Sequence, residues 1–409
     1  MPEPRVGVLT AGESHLPEAV REAGGEPVSL SLPPERPAGG VALAREWVAD
    51  VAQVSCGAED FDALLIQAKE PADLAGFVVA AARMNLPAVA VPEPDSSLSI
   101  ALAGLGFSPL AADPASATVE IGESGKPRIR ELAAEFSLAN ALRTGVSAGC
   151  GPETIVHLSA IARAARAPGF PQTARVLVPE TSVLTAPASD WLKEHRTAGL
   201  LAFLGDVIHD IPTVEGRLLE NLSPAPDAPP PSEARLSFVR GRASGSEALC
   251  RSAGEPEISG DVRFFRSEEQ AVRALEEKRV EDGSLLVVGG AGPKGGPGLL
   301  RLDELARTLD ERGLTQAFPV MTDGLAPEDA GGIWLSIFTP EVVDVGVLSR
   351  LRDGDPLRID LEQGRLRADI KADEISERRS RSLPAQSGAD YAARYARSAL
   401  KAMEGAGFR

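Results

Sequence analysis

A two-domain α/β protein is the fold class this chain predicts: an N-terminal layered α/β domain with a mainly parallel sheet, then a small C-terminal β-barrel with flanking helices. Three observations predict it. Short apolar runs alternate with amphipathic stretches through the first half, a proline-rich segment interrupts the chain, and strand patterns outnumber helical ones in the second half. At 409 residues the chain has material for about two domains with ample core.

In the first half, Arg5 to Thr10, Ala63 to Gln67 and Pro87 to Val91 are apolar runs of the kind buried in parallel sheets. Between them, Pro17 to Ala23, Gly40 to Val54 and Asp73 to Met84 read as amphipathic helices. Strand followed by helix, repeated, predicts βαβ units and therefore a parallel sheet. Leu132 to Arg143 and Glu153 to Ala165 add two helices, with Pro152 at a first-turn position where its missing N–H costs nothing. Residues 223–232 carry so many prolines that neither helix nor central strand continues through them, which predicts a linker between domains 1–222 and 233–409.

In the second half, Leu236 to Gly241, Val262 to Phe265, Ser284 to Gly289, Phe318 to Thr322, Gly332 to Phe338 and Leu357 to Asp360 read as strands. Ser267 to Glu277, Leu302 to Arg312 and Asp390 to Glu404 read as helices, and Ser267 with Gln270 offers a capping box. Asp353-Gly354 and Gln363-Gly364 mark turns between strands.

Composition excludes several roles. With 59 acidic against 42 basic residues the net charge is −17, and phosphate backbones demand a basic footprint, so nucleic acid is excluded as a partner. No apolar run approaches the ~18 residues of a membrane helix, and the start Met1-Pro2-Glu3-Pro4-Arg5 has no signal-peptide pattern, so a cytoplasmic location is expected. Cys56, Cys150 and Cys250 lie far apart without CxxC or histidine spacing, which predicts ordinary thiols. His157 sits among Ile155, Val156, Leu158 and Ile161 and reads as a core histidine. His209-Asp210, before Pro212, is open as an acid/base pair, and Cys150 as a nucleophile with His157 one helix turn on.

The richest segment is Gly292-Pro293-Lys294-Gly295-Gly296-Pro297-Gly298, followed by Met321-Thr322-Asp323-Gly324. It leaves a strand and opens a helix, and its few side chains let backbone N–H groups approach an anion. Gly290, Gly292 and Gly295 satisfy GxGxxG literally. Two prolines in the turn, and a strand-ending acid, Asp323, near 30 rather than about 20 residues on, weaken a dinucleotide reading, and Lys294 is followed by Gly295, so no Walker pair exists.

These segments resemble the GPKGGPGMPE and TDGRFSGGTRG motifs of the dihydroxy-acid dehydratase and phosphogluconate dehydratase family. Asn140-Ala141-Leu142-Arg143 with Val156 to Arg163 is similar to its NALR…LHLLAIAR helix pair, and Ala80 to Pro87 to its AAARLNLP. Gly199-Leu200-Leu201, Pro212 to Gly216, Glu220-Asn221-Leu222 and Asp353-Gly354-Asp355 with Arg358-Ile359-Asp360 extend the resemblance over most of the chain. It implies a swivelling β/β/α barrel, and a hydro-lyase chemistry that uses a three-cysteine iron–sulfur cluster, Mg²⁺ and a serine base.

The residues that chemistry needs are replaced here. The family's Cys-Asp-Lys falls on Glu70, Pro71 and Ala72, its first-loop cysteine has no counterpart near Glu13-Ser14-His15, and the stretch Pro92 to Arg128, where its third stands, is shortened and lacks cysteine. Its metal-binding glutamate becomes Arg301, its serine base Pro327, the nearby arginine Leu325 and its GHVSPE histidine Ile337, while Thr339-Pro340-Glu341 stays recognisable. The expectation is a catalytically degenerate member with no catalytic residues, no metal and no cluster, acting as a binding or partner subunit. Its homodimer, or heterodimer with an active paralogue, follows from the family's habit. A carboxylate or phosphate ligand is expected at Gly292, Lys294, Gly295, Gly296, Gly298, Arg301, Thr322, Asp323 and Gly324, with the Arg301 guanidinium clamping it. A divergent hydro-lyase using Glu70 or Asp329 with Arg301 is the alternative, and a purely structural role the third. Glu328-Asp329 reads as a solvated acidic loop.

Overall fold

The computed structural model describes residues 2–12, 14–33, 35–241, 246–344, 346–368, 370, 372–381 and 388–409. Two compact units emerge: the first holds residues 1–36, 44–150 and 154–232, the second 37–43, 151–153 and 233–409.

The first unit is built on β1 (Arg5–Thr10), β2 (Glu26–Ser31), β3 (Ala63–Gln67) and β4 (Ala88–Ala90), all parallel in the order β2-β1-β3-β4. The intervening α1 (Leu16–Glu22), α2 (Val41–Cys56) and α3 (Pro71–Met84) are the crossovers that parallel pairing requires. Val6, Val8, Leu64, Leu65, Ile66 and Val89 are buried, which explains why β1 and β3 read as continuous apolar runs.

The helices α4 (Ser97–Gly104), α5 (Pro114–Ser124), α6 (Ile129–Leu132), α7 (Glu135–Ser147), α8 (Pro152–Ala164), α9 (Phe170–Glu180) and α10 (Asp190–Leu204) follow. The short hairpin of β5 (Pro212–Thr213) and β6 (Gly216–Arg217) closes the unit. Two of these helices occupy the shortened 92–128 stretch. α4 is buried along its whole length and carries no amphipathic stripe, and it approaches α7 so closely that a Cβ on Gly104 would stand 2.5 Å from Thr144 Oγ1.

The second unit contains β7 (Arg235–Gly241), β8 (Glu247–Ser252), β9 (Glu257–Phe265), β10 (Leu285–Val288), β11 (Val320–Thr322), β12 (Trp334–Thr339), β13 (Pro356–Asp360) and β14 (Arg365–Ala368). They close into a barrel in the order β10-β11-β12-β8-β7-β14-β13-β9, with β9, β10, β11 and β12 mutually parallel. Side chains alternate across its wall. Leu285 and Val287 enter the barrel core with Phe264, Met321 and Ile359, whereas Leu286 and Val288 pack outward against Ala271, Leu275, Leu305 and Leu309 of α11 (Glu268–Glu276) and α12 (Asp303–Glu311). The Ser267 hydroxyl caps α11 by accepting the Gln270 N–H, while the Gln270 side chain accepts the Arg266 N–H at 3.1 Å in place of the Ser267 N–H that a full capping box would use. α13 (Ala372–Glu377) and α14 (Tyr391–Ser398) complete the unit, and the helix expected over 390–404 ends at Ser398, resuming only as a short 3₁₀ turn at Ala402–Glu404.

Candidate functional site

The glycine-rich run leaves the C-terminal end of β10, and Asp323 stands just past the end of β11 beside it. Asp323 is 2% exposed, and its carboxylate accepts the N–H groups of Gly290 at 3.1 Å, Ala291 at 2.9 Å and Val342 at 3.1 Å. Glu341, also 2% exposed, accepts the Lys294 N–H at 2.8 Å through Oε2, while its Oε1 is buried with no hydrogen-bond partner. A Cβ on Gly292 would stand 2.6 Å from that same Oε2, so glycine lets the loop close over Glu341. Part of the donor array that the sequence offers to a ligand is therefore directed at the protein's own carboxylates. Gly295 N donates to Ala396 O at 2.9 Å, and Lys294 Nζ pairs with Asp344 at 2.9 Å.

Burial pushes both carboxyls up. Glu341 rises well above its ordinary value, by burial first and then by the neighbouring charge of Asp323. Asp323 is pushed up by burial and pulled back by its backbone N–H partners. Three backbone N–H donors offset the burial of Asp323, whereas one reaches Glu341, so burial weighs more heavily on Glu341.

The other predicted residues have equally definite places. Thr322 Oγ1 accepts the Gly324 N–H at 2.9 Å, and a Cβ on Gly324 would meet Ala291 Cβ at 2.6 Å. The carbonyls of Pro297 and Gly298 accept the N–H groups of Gly40 at 2.7 Å and Ala42 at 3.0 Å, both on the segment 37–43 of this unit. Gly292, Gly296 and Gly298 have no N–H partner among the described residues. The Arg301 guanidinium lies 3.6 Å from Glu153 and 3.9 Å from Asp303. Glu328 accepts the Gly151 N–H at 3.0 Å, so it caps a backbone donor rather than standing free as an acidic loop.

His157 is wholly buried with Nδ1 3.4 Å from Arg45 Nη1, and Arg45, equally buried, pairs with Glu46 at 3.0 Å. His209 and Asp210 do not form a pair with each other. Arg217 takes the Asp210 carboxylate through two hydrogen bonds, at 2.9 and 2.7 Å, and holds it below its ordinary value, while the His209 ring packs on Phe136.

The donor chemistry does not match the groups the resemblance implies. A cluster needs converging thiolates, but all three cysteines are buried, and burial pushes the thiols of Cys56 to about 11 and Cys250 to about 12. Cys250 belongs to the barrel's apolar core. Where the family has a metal-binding glutamate, Arg301 offers a cation. Among the described residues no group of three or more His, Cys, Asp or Glu side chains is placed to hold a metal.

The first unit carries a cleft that no sequence motif marks. It is a cavity of about 520 Å³ at the C-terminal ends of β1 and β3, lined among others by His15, Arg36, Lys69, Glu70, Asp73 and Glu93. Each strand of the sheet contributes through the loop that follows it. In the order β2-β1-β3-β4 the chain reverses its direction of winding between β1 and β3, and such a switch point opens a crevice at the carboxyl edge. Asp73, 1% exposed, pairs with Arg36 at 2.5 Å, and Ser14 donates to Gln67 at 3.0 Å across the β1 and β3 loops. Glu13 lies outside the described residues.

Comparison with known proteins agrees with this architecture. Residues 225–406, which contain the whole barrel, match the family model for the dihydroxy-acid/6-phosphogluconate dehydratase C-terminal domain. The chain is 28% identical over 280 residues to dihydroxy-acid dehydratase 3 of Bordetella bronchiseptica, covering 62% of this chain and 50% of that protein. It is 28% identical over 304 residues to a dihydroxy-acid dehydratase of Clostridium botulinum, covering 68% and 55%. The chain thus spans about half the length of the curated relatives it matches. The chain is thus similar to dihydroxy-acid dehydratases over more than three fifths of its length, and its residues 225–406 are a C-terminal domain of the dihydroxy-acid/6-phosphogluconate dehydratase family.

Proposed function

We propose that this chain is a non-catalytic member of its family, a binding or partner subunit that works without the iron–sulfur cluster, the Mg²⁺ and the serine base. One observation supports this reading above the others. Arg301 stands at the position that carries the metal-binding glutamate in the family motif, and its guanidinium is met by Glu153 and Asp303, so a protein cation replaces both the charge and the ligand of a metal. Pro327 at the position of the serine base can neither take nor give a proton. The reading includes a cytoplasmic location and association with a second copy or an active paralogue. Among the described residues no helix is long and apolar enough to cross a membrane.

The test is turnover. Purified chain, supplied anaerobically with iron, sulfide and Mg²⁺, is given a 2,3-dihydroxy carboxylic acid and a sugar acid, and 2-keto acid is measured. No product is expected, and repeated turnover contradicts the proposal.

A divergent hydro-lyase is the second reading, favoured by one feature: Glu70 lines the same cleft as His15 and Lys69, an acid, a base and a cation together. It requires keto-acid formation that Glu70→Gln abolishes.

A further inference from the structure

The second unit carries an arginine cluster that the proposed function leaves unused. Three segments meet there: the end of β9, the turn 350–355 before β13, and the stretch after α13 that reads Arg378-Arg379-Ser380-Arg381. Arg263 is neutralised by Asp353 at 2.8 Å, and Arg378 by Asp355 at 2.5 Å. The guanidinium groups of Arg352, Arg379 and Arg381 have no carboxylate within ion-pair distance among the described residues. We propose that this arginine cluster is the docking site for an acidic protein segment, a short run of Asp and Glu side chains on a partner.

Arg352 and Arg381 converge on one neutral atom. The Leu351 carbonyl oxygen accepts Arg352 Nη1 at 3.0 Å, Arg381 Nη2 at 2.9 Å and Arg381 Nε at 3.2 Å. Two like charges thus share an acceptor that carries no charge to offset them. Burial first, and then the charge of Arg352, push the Arg381 guanidinium below its ordinary pKa. The Phe264 ring fixes that guanidinium from one face, its centroid 3.9 Å from Arg381 Cζ. Arg352 gives a further N–H to the Arg379 carbonyl, which ties the turn to the 378–381 stretch. Each of the two side chains has five N–H donors and engages two of them, so three on each are left for an anion.

Carboxylates suit these donors, because a planar guanidinium fork matches their two oxygens. Arg379 is exposed, and Arg352 and Arg381 are half-buried, so the cluster is open to a macromolecule. An exposed ion pair raises affinity about fivefold at best, and one carboxylate on its own does not stay bound. A segment that meets several guanidinium groups at once adds such gains and holds. Long polyanions fit less well. A nucleic acid that runs on past the cluster meets the acidic remainder of a chain of net charge −17, whereas a short acidic segment touches the cluster alone. All of these arginines belong to one unit, so the site is complete within it.

Fluorescence anisotropy of labelled octaglutamate, titrated with the full chain at about 50 mM salt, is the experiment, with octaglutamine as the uncharged control. Octaglutamate should bind and octaglutamine should not. Raising the salt to about 200 mM should weaken octaglutamate about tenfold, because exposed charges are screened. Arg379→Glu, at an exposed position whose carbonyl bond to Arg352 it leaves intact, should weaken octaglutamate about tenfold without moving the melting temperature. Arg379→Lys, which keeps the charge, should retain most of the affinity. Arg21→Glu, the same change of charge at an exposed position of the first unit, should leave binding as it was.

No binding at low salt, equal binding of octaglutamine, or equal losses from Arg379→Glu and Arg21→Glu overturns the proposal. Tighter binding of a single-stranded octanucleotide than of octaglutamate overturns it as well, by assigning the arginines to phosphates. The docking site rests on the partner-subunit reading, so keto-acid formation is assayed on the same sample. Repeated turnover sinks that reading itself, whereas an inactive chain that ignores octaglutamate sinks only the docking site.

Discussion

Glu341 shows how far one residue's environment can set its chemistry. It is buried, one oxygen accepts the Lys294 N–H, the other has no partner, and Asp323 lies close enough to repel its charge. A carboxyl whose folded pKa is raised favours the folded state fully below its unfolded value, about 4.3, and that contribution is lost as pH rises through the folded value. Glu341→Gln removes this titration while keeping the shape. Chemical denaturation across a pH series should show the variant losing less stability than the parent as pH rises, by about 1.4 kcal/mol for each unit of upward shift. Parallel pH profiles for the two proteins would refute the upward shift of Glu341. A similar economy occurs at Glu215, whose carboxylate accepts the successive N–H groups of Leu110, Ala111 and Ala112 at 2.5, 3.2 and 2.8 Å. In each of these two places the backbone N–H groups are engaged by a carboxylate of the chain itself.

Among the elements, α10 carries the clearest strain. Arg196 interrupts it with φ 57° and ψ −176°, a conformation that is essentially glycine's alone. Arg196→Gly should raise stability by about 1 kcal/mol, because relief of strain outweighs the added freedom of the unfolded chain. A lower melting temperature for this variant would mean that the arginine side chain holds the kink by contacts. Element by element, legibility followed burial geometry. β10 was readable because Leu285 to Val288 is buried on both faces, and α12 because only one of its faces is. β8, Glu247–Ser252, has no apolar run and owes its place to pairing with β7 and β12 on either side, which is tertiary context. α4 escaped notice because it is apolar all round and so lacks a helical period. For the candidate site, the Gly292 to Gly298 and Thr322 to Gly324 motifs were visible as contiguous text, whereas the link from Glu341 to Lys294 spans 47 residues and shows only in space. The cleft was not legible at all, because Arg36, Lys69 and Glu93 are ordinary polar residues, each on the loop after a different strand.

At the scale of the molecule, the proposed reading separates the family's architecture from its chemistry. The barrel closes, its Gly-rich loop and Thr322-Asp323-Gly324 segment interlock through Asp323, and Asn140 ties α7 to the 209 segment by exchanging hydrogen bonds with the His209 backbone at 2.8 and 2.9 Å. These hydrogen bonds tie the motif residues into the structure without any cofactor. The proposed reading requires a scaffold without a cluster. Quantifying iron, acid-labile sulfide and Mg²⁺ in the chain purified anaerobically from its own host tests it most directly. None of the three is expected at stoichiometric level, and iron and sulfide in the proportion of a cluster, one per chain, would contradict the proposed reading.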